Sequence, residues 1–332
     1  MPASPETMLA QLRGPGHRRA LGRAITLLES DRAEDRAAAA ALVDHLDALP
    51  TPAGFRIGVS GTPGVGKSTF VEQFGLRLVE QGRRLAVLAI DPSSQLSRGS
   101  ILGDKTRMET LSRHPEVFIR PSPNAGTLGG VSSSSRAAIL LCEAAGYDRI
   151  LVETVGVGQA EWQVHSMTDC FILLTQPAAG DDLQGIKRGI LELADIILVN
   201  KTDILPREAG ETTRQLRQSL HLAPPRDDGW TVPVLEVSAV TGAGLDDLLT
   251  TLANFREVTN ITDRRLAQRT DWMREAATEA VRWHLHRILG PAGQPSDSLR
   301  RIIDEGMTIS RGKAVILGEL ARSLIHDPPP AE

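Results

Sequence analysis

No stretch of the 332-residue chain approaches the roughly 18 consecutive apolar residues that a helix needs to cross a bilayer. The N-terminus has no contiguous apolar core of the kind a secretory leader carries. An excess of one charge is missing too. Basic and acidic residues stand at 37 against 41, and neither nucleic acid nor a membrane surface, which favour a basic excess or patch, is expected as a partner. Cysteine is scarce: Cys142 and Cys170 lie inside apolar stretches, neither in a metal-ligand spacing, as expected of two reduced core thiols. A soluble, cytoplasmic chain is the expectation. The Arg-rich start, RGPGHRRALGR, is a poor transit signal because Glu6, Glu29 and Asp31 keep it company. There is no internal repeat.

What is present divides into three blocks. Residues 1–52 are expected to form an N-terminal helical extension, its helical signal lying in the alanine- and leucine-rich stretch 17–49, with Leu42, Leu46 and Leu49 at helical spacing and Asp31 three places before Glu34 as a start signal. LPTPAG breaks that pattern. Over 53–258, short β-branched runs alternate with helical stretches: RIGVSG, RLAVLAID, VFIRP, RILVETVG, CFILLTQ, DIILVNKTD and VPVLEVSA. Near-continuous apolar strands separated by helices predict an α/β fold with a doubly wound, mostly parallel sheet. Residues 259–332 return to helix, with Met273, Ala277, Ala280, Leu285 and Ile288 near one face and a stop at Gly290 and Pro291.

The chemistry begins at GTPGVGKSTF. Gly61, Gly66, Lys67 and Ser68 fit G-x-x-x-x-G-K-[ST] between a strand and a helix. Backbone N–H groups of Gly61, Pro63–Gly66 and the following turn, including Thr69, are expected around the phosphates, apart from proline, which has none. Gly64 and Val65 lie at the centre of that loop; Lys67 spans β and γ phosphates, and Ser68 ligates magnesium. The base is read further on. Asn200, Lys201 and Asp203 form N-K-x-D at a strand end, where a carboxylate accepts from the N1–H and the exocyclic amine of guanine, a pair of donors that adenine lacks. VSAVTGAG follows the next strand, so that Ser238 and Ala239 are expected to place a backbone N–H on the guanine oxygen. Acidic and glycine groups for magnesium and the γ-phosphate are expected from Asp91, Asp104, Glu153 and Gly156. Which of Asp91 and Glu153 ligates the metal and which orients the attacking water stays open.

Eight blocks in order, GTPGVGKST, AIDPSS, GSILGDKTRM, FIRPSPNAGTLGG, LLCEAAGYD, VETVGVGQAE, GDDLQGIKRG and NKTD, resemble the MeaB/ArgK-type P-loop GTPases, which serve adenosylcobalamin-dependent acyl-CoA mutases. The resemblance covers roughly 55–203. It implies hydrolysis of GTP to GDP with Mg2+, a chaperone that gates adenosylcobalamin loading into a mutase such as methylmalonyl-CoA mutase, cobalamin belonging to the partner, and a homodimer held by C-terminal helices. It also implies three switches: one with Asp91 and Asp104, one with Glu153, Gly156 and Gln159, and one where Asp182, Gln184 and Lys187 relay the nucleotide state. Ala160 and Ala179 depart from the family's usual serine and glycine. Arg107 is a candidate internal arginine finger. A nickel-type metal-insertion GTPase would share both motifs but needs a Cys/His cluster, and the eight histidines are scattered. A small-molecule kinase using ATP is opposed by N-K-x-D.

Overall fold

The fold is that of a computed structural model, which describes residues 4–14, 16–30, 32–49, 54–90, 108–121, 130–154, 160–177, 188–222, 224, 226–290 and 294–326. The chain divides into two compact units, 1–261 and 262–332.

The first unit is built on seven strands: β1 (Phe55–Gly61), β2 (Leu85–Ile90), β3 (Val117–Pro121), β4 (Arg149–Thr154), β5 (Cys170–Thr175), β6 (Ile196–Val199) and β7 (Val234–Glu236). Each falls on one of the apolar runs. Their order is β3-β2-β4-β1-β5-β6-β7, every pairing parallel. Successive helices are α4 (Lys67–Glu80), α5 (Glu109–Arg113), α6 (Gly130–Ala144), α7 (Ala160–Met167), α8 (Arg188–Leu193), α9 (Pro206–His221) and α10 (Leu245–Val258). Continuous apolar strands need cover on both faces, and they get it. Phe70, Phe74 and Leu78 of α4 join Leu248 and Phe255 of α10 over Ile57 and Val59. On the other face α7 comes down on β1 at Gly58, where a Cβ would stand 2.7 Å from Val164 Cγ1 and 2.8 Å from Thr168 Oγ1. Only glycine permits that approach. β1 therefore lies central, flanked by β4 and β5, which puts the crevice at its carboxyl end.

The amino ends of the strands carry a repeated device. Asp148, Asp169 and Asp195 each stand one residue before β4, β5 and β6. Asp148 Oδ1 accepts the Arg84 N–H at 3.0 Å, Asp169 Oδ2 that of Arg56 at 2.8 Å, and Asp195 Oδ2 that of Phe171 at 2.7 Å. The backbone N–H of each aspartate donates back to the carbonyl of the same residue. A strand's first donor would otherwise be buried without a partner. At the same end the Arg56 guanidinium grips Glu143 of α6 bidentately, at 2.9 and 2.7 Å, fully out of solvent.

Three N-terminal helices, α1 (Pro5–Leu12), α2 (His17–Leu28) and α3 (Ala33–Asp47), pack on one another, and α2 and α3 pack on α6. Leu42 and Leu46 are buried as their spacing suggests, and Leu49 is half-buried. α1 was not among the expected elements. It starts from Ser4, whose hydroxyl accepts the Thr7 N–H, with Pro5 at the first position, a short signal with no apolar period to advertise it. α3 begins one place later than the start signal suggested, with Arg32 at the cap and Glu34 and Asp35 in its first turn; Asp31 lies outside the described residues.

The second unit contains α11 (Ile261–Leu289), α12 (Asp297–Asp304) and α13 (Ile309–His326). Ser296 caps α12 by accepting the Leu299 N–H at 3.1 Å, and Gly312 lets α13 approach Ile302. The side chains that α11 buries are Gln268, His284 and Ile288. Of the stripe expected to pack, Met273 is 62% exposed and Ala277 is exposed too. The other end of the stripe does pack, with Ile288 buried and Ala280 and Leu285 half-buried. No helix among the described residues is long and apolar enough to cross a membrane.

Candidate functional site

The loop between β1 and α4 is shaped by backbone rather than side chains. Gly66 has φ +97°, and a Cβ there would stand 2.8 Å from Asn200 Nδ2, so the last glycine of the motif is required both by its left-handed conformation and by the approach of the base-reading motif. Lys67, 9% exposed, opens α4 and turns back over the loop. Its Nζ donates to Gly61 O at 2.6 Å and to Thr62 O at 3.3 Å. Burial pushes its pKa down, and the carboxylates of Glu153 and then Glu161 push it back up. Ser68 Oγ donates to Glu153 Oε1 at 3.2 Å. Glu153, 4% exposed, sits beside Val59 of β1 and Ala89 of β2 in the sheet register. Beneath them Ser60 and Thr154 exchange a hydrogen bond of 2.9 Å. A hydroxyl and a carboxylate meeting at the carboxyl ends of two neighbouring strands are hard oxygen donors of the kind magnesium takes.

The N-K-x-D segment grips this loop from the other side. Asn200 Nδ2 donates to Val65 O at 2.8 Å, and Lys201 Nζ to Gly64 O at 2.6 Å and Gln176 Oε1 at 3.3 Å. Lys201 has φ +63°, the one positive value at a non-glycine among the described residues. Such conformations concentrate at functional sites. Asp203 accepts from Ser238 Oγ at 2.6 Å, and the same hydroxyl accepts the Thr241 N–H at 3.1 Å. The Ala239 N–H, expected to serve the guanine oxygen, donates here to Asn200 Oδ1 at 3.0 Å. Ile204, Leu205 and Val240 form an exposed apolar border beside Asp203 and Ala239.

A family model described as methylmalonyl Co-A mutase-associated GTPase MeaB matches residues 21–288. The chain belongs to the MeaB family. GTPase ArgK of Escherichia coli is 45% identical to it over 277 residues, 81% of this chain and 83% of that protein. The mitochondrial methylmalonic aciduria type A homolog of Mus musculus is 45% identical over 285 residues, 81% of this chain and 68% of that one. The crystal structure of LAO/AO transport system kinase shares the fold at a TM-score of 0.72 and 32% identity, covering 95% of this chain and 96% of that one. The protein is a GTPase.

Within this MeaB-family site the structure brings together Gly61, Gly64, Val65, Gly66, Lys67, Ser68 and Glu153 with Asn200, Lys201, Asp203, Ser238 and Ala239. Pro63 and Thr69 are exposed around the same loop. Asp91, Asp104, Arg107, Gly156, Gln159, Ala179, Asp182, Gln184 and Lys187 lie outside the described residues, as does the side chain of Ala160. Among the described residues no three His, Cys, Asp or Glu side chains converge as a metal site, and of the carboxylates expected at magnesium, Asp91, Asp104 and Glu153, only Glu153 is described. One residue escaped the sequence reading. Glu161 is 3% exposed on the first turn of α7, and its charge pushes the pKa of Lys67 upward. The signal was available: an acidic residue in QAEWQV, followed at helical spacing by Val164, has to point inward when Val164 does.

Proposed function

We propose that this GTPase gates the loading of intact adenosylcobalamin into an adenosylcobalamin-dependent acyl-CoA mutase and helps to clear inactivated cofactor from it. The observation that carries the reading is the family match, which runs unbroken through the phosphate loop, the residues assigned to the third switch and the guanine motif. Lys67 exchanges the carbonyls of Gly61 and Thr62 for β and γ phosphate oxygens. Asp203 accepts from guanine, while Asn200 and Lys201 hold the loop that the nucleotide lies on. Ser68 and Glu153, with Asp91 and Asp104, would hold Mg2+, which when bound would supply positive charge against the phosphates. Either Asp91 or Glu153, near Gly156, orients the attacking water. Asp182, Gln184 and Lys187 carry the nucleotide state to the mutase, whose docking supplies the charge that speeds hydrolysis, an effect of roughly 10³ to 10⁵ in comparable GTPases.

The protein acts as a homodimer in the cytoplasm. Leu266 and Met273 on α11, and Leu317 and Leu324 on α13, are exposed large apolar residues spaced seven apart, the stripe a second helix would cover.

The test is GTP hydrolysis by the purified protein, alone and with each adenosylcobalamin-dependent mutase of the same source, with ATP as control. One mutase should raise the GTP rate by orders of magnitude, and Lys187→Ala should abolish that rise. A flat response to every mutase overturns the chaperone reading while leaving the GTPase intact.

A further inference from the structure

Glu161 closes the VETVGVGQAE block with no role assigned to it, and it is among the most deeply buried carboxylates of the first unit. Its place follows from how α7 lies on the sheet. Thr168 and Val164 sit against Gly58 in the middle of β1, and the Asp169 N–H, just past the helix, donates to Arg56 O at the amino end of that strand. The helix therefore runs antiparallel to β1, its first turn toward the carboxyl end. Glu161 lies three residues before Val164, about 4.5 Å further along the helix axis. Ser60 and Gly61 lie about 7 and 10 Å beyond Gly58 along the strand. An extended glutamate side chain spans the remainder, reaching the level at which Lys67 Nζ meets Gly61 O. The electrostatic interaction between Glu161 and Lys67 agrees with that placement.

The charges of two buried carboxylates, Glu153 from β4 and Glu161 from α7, thus act on one buried ammonium. Glu153 has a second task at Ser68. Glu161 closes ETVGVGQAE, residues 153–161, the segment assigned to the second switch, and stands on the first turn of α7.

We infer that Glu161 is a positioning residue that sets the balance between triphosphate and diphosphate by competing with the γ-phosphate for Lys67. The inference rests on the assignment of Lys67 to the phosphates. With GDP bound, the lysine can serve both the β-phosphate and Glu161. With GTP bound, the γ-phosphate brings like charge to the same ammonium, and Glu161 opposes it through Lys67. That opposition disfavours GTP relative to GDP and loads the first turn of α7 in the triphosphate state alone. Hydrolysis removes the load. The neighbouring Trp162, 56% exposed on the same turn, should report the difference.

The test is calorimetric binding of GDP and of a non-hydrolysable GTP analogue to wild type, Glu161→Gln and Glu161→Asp, with thermal melting as a fold control. Glu161→Gln keeps the shape and removes the charge. It should raise the affinity for the analogue relative to GDP by about tenfold, and Glu161→Asp, which keeps the charge but draws it back by one methylene, should shift the ratio in the same direction by less. Trp162 emission, identified by its loss in Trp162→Phe, should differ between the two nucleotides in wild type and converge in Glu161→Gln. An unchanged ratio in Glu161→Gln, or an equal fall in both affinities, overturns the inference, because a merely structural carboxylate would affect both nucleotides alike. If Lys67→Ala bound both nucleotides as wild type does, the assignment of Lys67 itself would fail, and this result is separate from either outcome at Glu161.

Discussion

The side-chain amide of Asn200 donates to the main-chain carbonyl of Val65 across 2.8 Å, so the motif assigned to the base also holds the loop assigned to the phosphates. Its carbonyl oxygen is occupied as well, by the Ala239 N–H. Asn200 therefore ties three chain segments together before any nucleotide arrives.

Removing that amide should hurt every guanine nucleotide equally. Asn200→Ala leaves Val65 O and the Ala239 N–H buried without their partner, at about 1–3 kcal/mol for each group. GTP and GDP affinities should fall together by at least roughly tenfold, with a lower melting temperature in the absence of nucleotide. Calorimetric titration with both nucleotides checks this, and a loss confined to GTP would contradict it.

Base selection should pass through Asp203 alone. Ser238 Oγ donates to its carboxylate at 2.6 Å, and in Asp203→Asn the amide oxygen can still accept that bond while the amide nitrogen becomes a donor. Guanine presents an amine where xanthine presents a carbonyl, so the variant should lose GTP by roughly 10² to 10⁴ and gain XTP by a similar factor. Competition between the two triphosphates for a fluorescent nucleotide measures the exchange.

An alkaline limit should be written into Tyr147, the single tyrosine of the chain. It is 1% exposed, and among the described residues its hydroxyl finds no hydrogen-bond partner. Burial, followed by the nearby Cys142 thiol, pushes its pKa up from 10.0 to about 12. The unfolded chain ionises near 10 and the folded one does not, so the folded state binds more protons between those values. The associated stability is fully present below pH 10 and is lost as pH rises toward 12, on the order of 2 kcal/mol in total. Absorbance at 295 nm should show no tyrosinate in the folded protein until near pH 12, and tyrosinate near pH 10 in denaturant. Tyr147→Phe should change stability at pH 7 by less than about 1 kcal/mol and flatten the decline between pH 10 and 12.

Much of this molecule was legible in the residues alone, and the limits have physical causes. All seven strands fall on their apolar runs because a strand buried on both faces has no polar alternation to confuse the reading. The phosphate loop and N-K-x-D declared themselves because backbone geometry and base hydrogen bonds tolerate few residue types. Glu161 did not, since a single carboxylate on a short helix looks the same in sequence whether it faces solvent or a lysine. α11 misled in the opposite direction: Met273 and Ala277 have the spacing of a packed face and lie exposed, because periodicity identifies an apolar stripe and not the chain that covers it. The triple use of aspartate before β4, β5 and β6 was also present as YDRIL, TDCFI and ADIIL, but a residue that bonds a neighbouring strand can be recognised only once the strand order is known.

Those three aspartates tie the strands together at the end of the sheet remote from the phosphate loop, so anchorage and chemistry occupy opposite poles of the same elements. The sheet is thereby held together apart from the nucleotide pole, whose own ties, such as those of Asn200, join its loops. Substitutions there can alter nucleotide preference or client while the scaffold endures, which gives the architecture room to diverge in what it serves without losing what it is.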